Sequence, residues 1–394
     1  MSRAVRETIG GFRVGLGEAS GAVADLGVLV PLAAALILVN RLDAGAVLLC
    51  AGLLYLASGL WFRIPFPVQP FKAVTAIAVA EGLAPGVIHA AGLEMGGLLL
   101  LLAIGGLANT VARIFTRPVI RALQLGVGIL LAISSYKLVA KPPDVFSGVP
   151  AAPWPIVLAA ATFAATMWAV HTRRHGLALA ALAAGVIATA ASSHPQLTAP
   201  ALHLPSVGLP TASMFGTAFW LLVIPQFPLT FGNAVVATDD LAHQYFGDAA
   251  RRVTPSRICI SDGLGNMTSG LLGGMPMCHG AGGLTAHAKL GARTAGMNVL
   301  LGGTLVVIGL FFAAQVPVIL GLLPVWALAA FLGYAGLRHA VLVTDLRGAS
   351  LAIALVSGMA GALLGNLAIT AGLALLAVHA PGMISRLRAV RADR

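Results

Sequence analysis

The sequence predicts an all-α integral membrane protein of fourteen spans, built as 7+7 inverted repeats with interrupted half-helices in spans 3 and 10. Three observations carry that expectation. Only 9% of the 394 residues are charged while 58% are hydrophobic, whereas a soluble domain carries roughly 25% charged residues. Apolar runs of membrane-spanning length recur along the whole chain, and the cations between them fall largely on one side. Two segments rich in Pro or Gly interrupt this pattern about half a chain apart.

So little polar surface cannot cover a soluble core, which excludes a soluble enzyme, a disordered chain and a secreted disulfide scaffold. Cys50, Cys259 and Cys278 lie far apart and outside any C-x-x-C, so neither a metal site nor a disulfide framework is expected. The net charge of +11 fits basic cytoplasmic loops better than a nucleic-acid partner.

A helix needs about 20 apolar residues to cross a bilayer. Twelve runs meet that demand: 16–40, 44–62, 91–112, 118–136, 153–170, 176–191, 213–238, 257–273, 295–315, 317–337, 346–362 and 364–380. Segments 65–82 and 275–291 are partly apolar and open on Pro or Gly. They read as extended backbone followed by a half-helix, which completes fourteen. With the N-terminus inside, 20 of the 24 Lys and Arg residues fall on the cytoplasmic side. Arg41, Lys137 and Lys141 fall outside, and Lys72 is left within the membrane. A miscounted span would mix these classes, so the asymmetry supports the count. Both termini are expected in the cytoplasm of a bacterial-type inner membrane. The first run carries Glu18 and Asp25 and shows no cleavage motif, so no signal peptide is expected. The sequence continues 14 residues past the last run, so no soluble C-terminal domain is expected.

Segments 64–73 (IPFPVQPFKA) and 273–282 (GGMPMCHGAG) align at an offset of 209, Pro67 on Pro276. Seven spans per repeat is an odd number, so the repeats must be inverted, a pattern of secondary transporters. Pro65, Pro67 and Pro70 keep residues 65–69 extended, because the residue before Pro avoids the helix. Pro70 is expected to open the first half-helix. Gly280, Gly282 and Gly283 let backbone N–H groups approach a ligand in the second repeat. Two half-helix N-termini would then face each other near the midplane, each offering free N–H donors and partial positive charge. Such a pair suits an anion. Lys72 in a first helical turn opposes the dipole and asks for a negative partner, while Gln69 and His279 add donors.

Other polar groups fall inside spans. Thr230 and Asn233 are three apart and share a helix face, where each could donate to an oxyanion or to a neighbouring helix. Glu18, Asp25 and Asp262 are intramembrane carboxylates, costly and usually functional. One of them could carry a coupling proton, with Asp25 preferred on depth, although a structural ion pair explains such a group equally well. No H-E-x-x-H, G-x-S-x-G or G-x-x-x-x-G-K-[ST] occurs, so neither ATP hydrolysis nor another enzymatic activity is expected, and no cofactor is.

PFPVQPFKA (65–73), FGNAVVATDDLAHQYF (231–246) and GGMPMCHGAGGLTAHAKLGARTAG (273–296) resemble the signatures of the molybdate transporter family, a branch of the sulfate permease superfamily. GEASGAVADLG (17–27) extends the similarity. The resemblance implies a core domain of residues 14–115 and 213–315, spans 1–4 and 8–11. It implies a gate domain of residues 116–212 and 316–384, spans 5–7 and 12–14. It places an anion between spans 3 and 10, held by Gln69, Lys72, Asn233 and His279 with the backbone of Phe71 and of Gly280, Ala281, Gly282 and Gly283. Thr230, Gln226 and Ala22 are secondary candidates. It implies molybdate as substrate, sulfate as the first alternative, and a homodimer by family analogy. A sulfate transporter or nucleobase transporter of the same architecture, and an anion channel, are the competing readings. A dianion entering a negative-inside cell works against about 2.3 kcal/mol per charge per 100 mV, so proton symport is expected.

Overall fold

The computed structural model describes residues 12–13, 15–141, 154–171, 198–321 and 325–392. The run expected at 176–191 lies outside them. Leu16–Leu38 (α1) is followed by Ala44–Phe62 (α2), which Asp43 opens by accepting from the Ala46 N–H at 2.6 Å. The chain then runs extended to a two-residue strand, Gln69–Pro70 (β1), and into Lys72–Glu81 (α3), closed by Gly82 at φ 60°. Pro85–Ile104 (α4), Ala108–Ala112 (α5), Arg117–Ala140 (α6) and Trp154–His171 (α7) complete the first half. Ala212–Arg252 (α8) is a continuous helical rod with π turns over Phe219–Val223 and Thr230–Val236. Pro255–Leu271 (α9), Met277–Cys278 (β2) and Ala281–Lys289 (α10) follow. Gly296–Phe311 (α11), Gln315–Gly321 (α12), Val325–Ala340 (α13), Gly348–Leu363 (α14) and Leu367–Ala392 (α15) close the chain.

Among the described residues, α2, α4, α6 and α8 are each long and apolar enough to cross a bilayer, and shorter apolar helices surround them. Helix packing is tight because glycines stand where backbones cross. A Cβ on Gly52 would sit 2.6 Å from the Gly302 carbonyl oxygen, and one on Gly96 would sit 2.8 Å from that of Gly263. These contacts join α2 to α11 and α4 to α9. Gly128 and Gly336 stand in the same relation, each within 2.6 Å of the other's carbonyl, and join α6 to α13. Small residues let backbones approach closely where lipid supplies no hydrophobic drive between helices.

The expected boundaries shift in three places. The first half-helix begins at Lys72, not Pro70, because Pro70 is held in the strand pair and Phe71 is the N-cap. Helix α4 begins at Pro85 rather than 91, with Pro in its first turn, and the chain turns at Gly106, φ 66°. Helix α8 runs past 238 to Arg252. Its π turns flank Pro225 and Pro228, one ending at Val223 and the other starting at Thr230, and the missing N–H groups and ring clashes of these prolines disturb the regular ladder.

Candidate functional site

The two interrupted segments cross as an antiparallel pair, Gln69 opposite Cys278 and Pro70 opposite Met277. Phe71 N–H donates to the Pro276 carbonyl at 3.0 Å. Extended backbone in an apolar interior must be satisfied by something, and buried side chains do it here. Asn298 accepts from Phe66 N–H at 2.9 Å and donates to Phe66 O at 2.7 Å. Tyr55 donates its hydroxyl to Val68 O at 2.9 Å. In the second segment Asn266 accepts from Met277 N–H at 2.8 Å and donates to Met277 O at 2.6 Å, while Ser269 donates to Met275 O at 2.6 Å. Two asparagines thus clamp the two crossing strands from α9 and α11.

The half-helix N-termini are not equivalent. At α3, the buried Gln226 side chain accepts from Ala73 N–H at 2.9 Å and Val74 N–H at 3.4 Å. Its amide nitrogen donates to the Thr230 hydroxyl at 3.2 Å. Gln226 therefore caps α3 and Thr230 holds the cap, so these two secondary candidates act on the helix end in this structure. With Phe71 N–H also engaged, the first half-helix offers few free donors. At α10, no residue elsewhere accepts from the N–H groups of Ala281, Gly282 or Gly283 among the described residues. Gly282 is exposed, and a Cβ built there meets nothing within 4 Å. The side of the first turn at Gly282 is therefore open, beside free N–H donors of the kind that suit an anion.

Gln69 and Asn233 lie against Gly280, the N-cap of α10, and Lys72 reaches Gln69. Lys72 Nζ donates to Gln69 Oε1 at 2.8 Å. A Cβ on Gly280 would lie 2.7 Å from Gln69 Oε1 and 3.7 Å from Asn233 Nδ2. The Asn233 amide, half-buried on the π turn of α8, has no hydrogen-bond partner among the described residues. Ala22 is buried on α1, and its neighbour Gly21 accepts from His287 Nδ1 of α10 at 2.8 Å, which holds α1 against the half-helix.

His279 is fully buried and occupied on both ring nitrogens. Nδ1 donates to Pro67 O at 2.7 Å, and Nε2 accepts from the Ser261 hydroxyl at 2.9 Å. Its ring packs edge-on to Phe66 at 4.5 Å. Contact with an anion would require one of those bonds to break, so His279 braces one segment on the other here. Its own N–H donates to Asp262 Oδ1 at 3.0 Å. Asp262 Oδ2 is buried with no hydrogen-bond partner among the described residues. Glu18 Oε1 accepts from Arg293 and Thr294 N–H at 3.1 and 3.0 Å, which is a structural role at the turn before α11. The Asp25 side chain lies outside the described residues. Sequence reasoning missed Asn266, Asn298 and Ser261. The signal was present, since an Asn in an apolar span is costly unless it binds something.

The sequence matches the family described as "Molybdate transporter of MFS superfamily" over residues 17–131 and 218–338. It is 30% identical over 374 residues to Molybdate transporter 1 of Arabidopsis thaliana, covering 85% of this chain and 81% of that one. Molybdate transporter 1 of Chlamydomonas reinhardtii is 29% identical over 441 residues, covering 84% of each. Among solved structures, the murine Slc26a9 anion transporter in its inward-facing state superposes with a TM-score of 0.68 at 13% identity, covering 98% of this chain and 72% of that one. The transmembrane domain of the cyanobacterial bicarbonate transporter BicA gives 0.63 at 18% identity, covering 93% and 98%. At such identity these two likenesses concern the helical fold alone. The sequence match takes in both crossing segments, both asparagine clamps and the π-turned helix, and on that ground the chain belongs to the molybdate transporter family.

Proposed function

We propose that the protein is a secondary transporter of a tetrahedral oxyanion, molybdate foremost, bound in front of the α10 N-terminus. The observation that carries this reading is the open first turn of α10 at Gly282, with the unengaged Asn233 amide and Gln69, which holds the Lys72 ammonium, against the N-cap Gly280. Backbone N–H groups and side-chain donors converge there, and none of these groups is a carboxylate. Oxygens of a dianion would take the N–H groups of Ala281, Gly282 and Gly283, with Lys72 supplying charge. Gln69 holds Lys72 and presents its amide on the same side. His279 positions the crossing rather than touching the anion. Relatives named as molybdate transporters, and a fold shared with anion and bicarbonate transporters, support the same class over an enzyme.

The core domain carries this site and the gate domain, residues 116–212 and 316–384, moves against it in alternating access. Uptake against the membrane potential is coupled to protons. Asp262 is the preferred proton carrier in place of Asp25, because one oxygen lacks a partner and the other accepts the His279 N–H one residue before Gly280. Binding of molybdate to the purified protein, with sulfate as competitor, tests the substrate. Micromolar binding that survives excess sulfate and is lost in Lys72→Ala supports molybdate. Equal affinity for sulfate would widen the class to oxyanions, and no binding of either would end the reading. In proteoliposomes, uptake that ignores an external acid pulse would rule out proton symport.

A further inference from the structure

We propose a second oxyanion position, a transit site between Lys72 and the last turn of α13, and this rests on the oxyanion reading of the α10 site. A cavity of about 90 Å³ is lined by Lys72 of α3 and by Tyr334, Arg338 and His339 of α13, with Leu32 and Leu131 among its apolar walls. A single water needs roughly 10–15 Å³ of such space, so the cavity holds several waters or one five-atom oxyanion. None of its lining residues is acidic. Tyr334 and Arg338 are four apart and share a helix face. Arg338 is exposed while Lys72 and His339 are half-buried, so the cluster grades from solvent into the protein. His339 Nδ1 is buried with no hydrogen-bond partner among the described residues. A buried nitrogen left unpaired is unfavourable, and two fixed cations facing one cavity repel each other unless an anion visits.

The position of Lys72 links this cavity to the α10 site. Its ammonium has three donors, one of which Gln69 takes at 2.8 Å, and Gln69 Oε1 in turn borders Gly280. The same ammonium can therefore hold an oxyanion on the cavity side and release it toward Gly282. One wall belongs to α1 and α3, the other to α6 and α13, so the position exists only while these helices are apposed.

The test uses the full-length protein and radiolabelled molybdate. Removing one charge-assisted hydrogen bond from a transit step costs roughly tenfold or more. Arg338→Gln and His339→Gln are expected to slow proteoliposome uptake by about that factor while equilibrium binding changes less than about threefold, and Arg338→Lys restores most of the rate. Wild-type uptake in both Gln variants would overturn the proposal. Binding lost in parallel with uptake would also overturn it, by placing Arg338 in the α10 site itself. Because the Gln variants can fail to fold, tungstate density in the wild-type protein provides an independent arm. A heavy-atom peak between Lys72 and Arg338, besides the one at α10, supports the transit site, and a peak at α10 alone refutes it. A wild-type protein that binds neither molybdate nor sulfate would instead bring down the α10 reading, and this inference with it.

Discussion

A buried helix N-terminus leaves N–H groups that something must accept, and at α3 that acceptor is Gln226. Truncation by Gln226→Ala would leave two buried donors unpaired, at a cost of about 1–3 kcal/mol. The expected result is a lower melting temperature in detergent, and an unchanged one would show that water replaces the cap. Gly282→Ala is the converse case. Nothing crowds a Cβ there, so the variant should fold as well as wild type or slightly better, by up to about 1 kcal/mol. At the proposed site the methyl group would enter the space in front of the anion, so molybdate affinity should fall while the melting temperature holds. Unchanged affinity would move the site away from α10. The residue types at the site were legible in the sequence, since Pro, Gly, Lys72 and His279 stand out against an apolar background. Their partners were not. Gln226 and His279 could each be a ligand or a support, and only the fold brings Ala73 to Gln226 and Pro67 to His279.

At the scale of elements, hydropathy and helix breakers gave the half-helices almost in place, while helix ends shifted where a strand pair or a Pro in a first turn intervened. The faint internal repeat gains support from the glycine crossings. The contact of Gly52 with Gly302 and that of Gly96 with Gly263 exchange when the two halves are swapped, at about the offset that aligns Pro67 with Pro276. Gly128 and Gly336 map onto each other. Gly128→Val and Gly336→Val are therefore expected to destabilise to a similar degree, about 1–3 kcal/mol from overpacking, as read from paired melting curves. Unequal effects would show that the two sides of the α6–α13 crossing relax differently. The turn after α13 adds a charged tie. Hydrogen bonding from Arg121, helped by Arg117, holds the Asp345 carboxyl below its ordinary value. A carboxylate depressed in the folded state stabilises above its unfolded pKa and loses that contribution as pH falls through the folded value. Stability should thus decline on acidification in the range below the ordinary Asp value, and Asp345→Asn should flatten that part of the profile. A variant that keeps the wild-type acid slope would assign the slope to another group.

For the whole molecule, the strongest sequence argument was sidedness, and the contacts between loops respect it. Asn40 donates to Ala78 O and Leu83 O, His203 meets Asp43, and Lys137 donates to Ala80 O, all among segments expected outside. Arg252 donates to Trp61 O, and Arg117 and Arg121 bind Asp345, all among segments expected inside. Neither set links an inner segment to an outer one, as two opposed faces require. The test is direct because the three native cysteines are buried and give little background. Glu81 and Asp248 are both exposed, and the expected topology puts five crossings between them, including the run at 176–191. A membrane-impermeant maleimide should label Glu81→Cys on intact cells and label Asp248→Cys only after permeabilisation. The reverse pattern would invert the orientation and leave the odd count intact. Labelling of both from one side would mean an even number of crossings, and with it the loss of the seven-span repeat from which inversion follows.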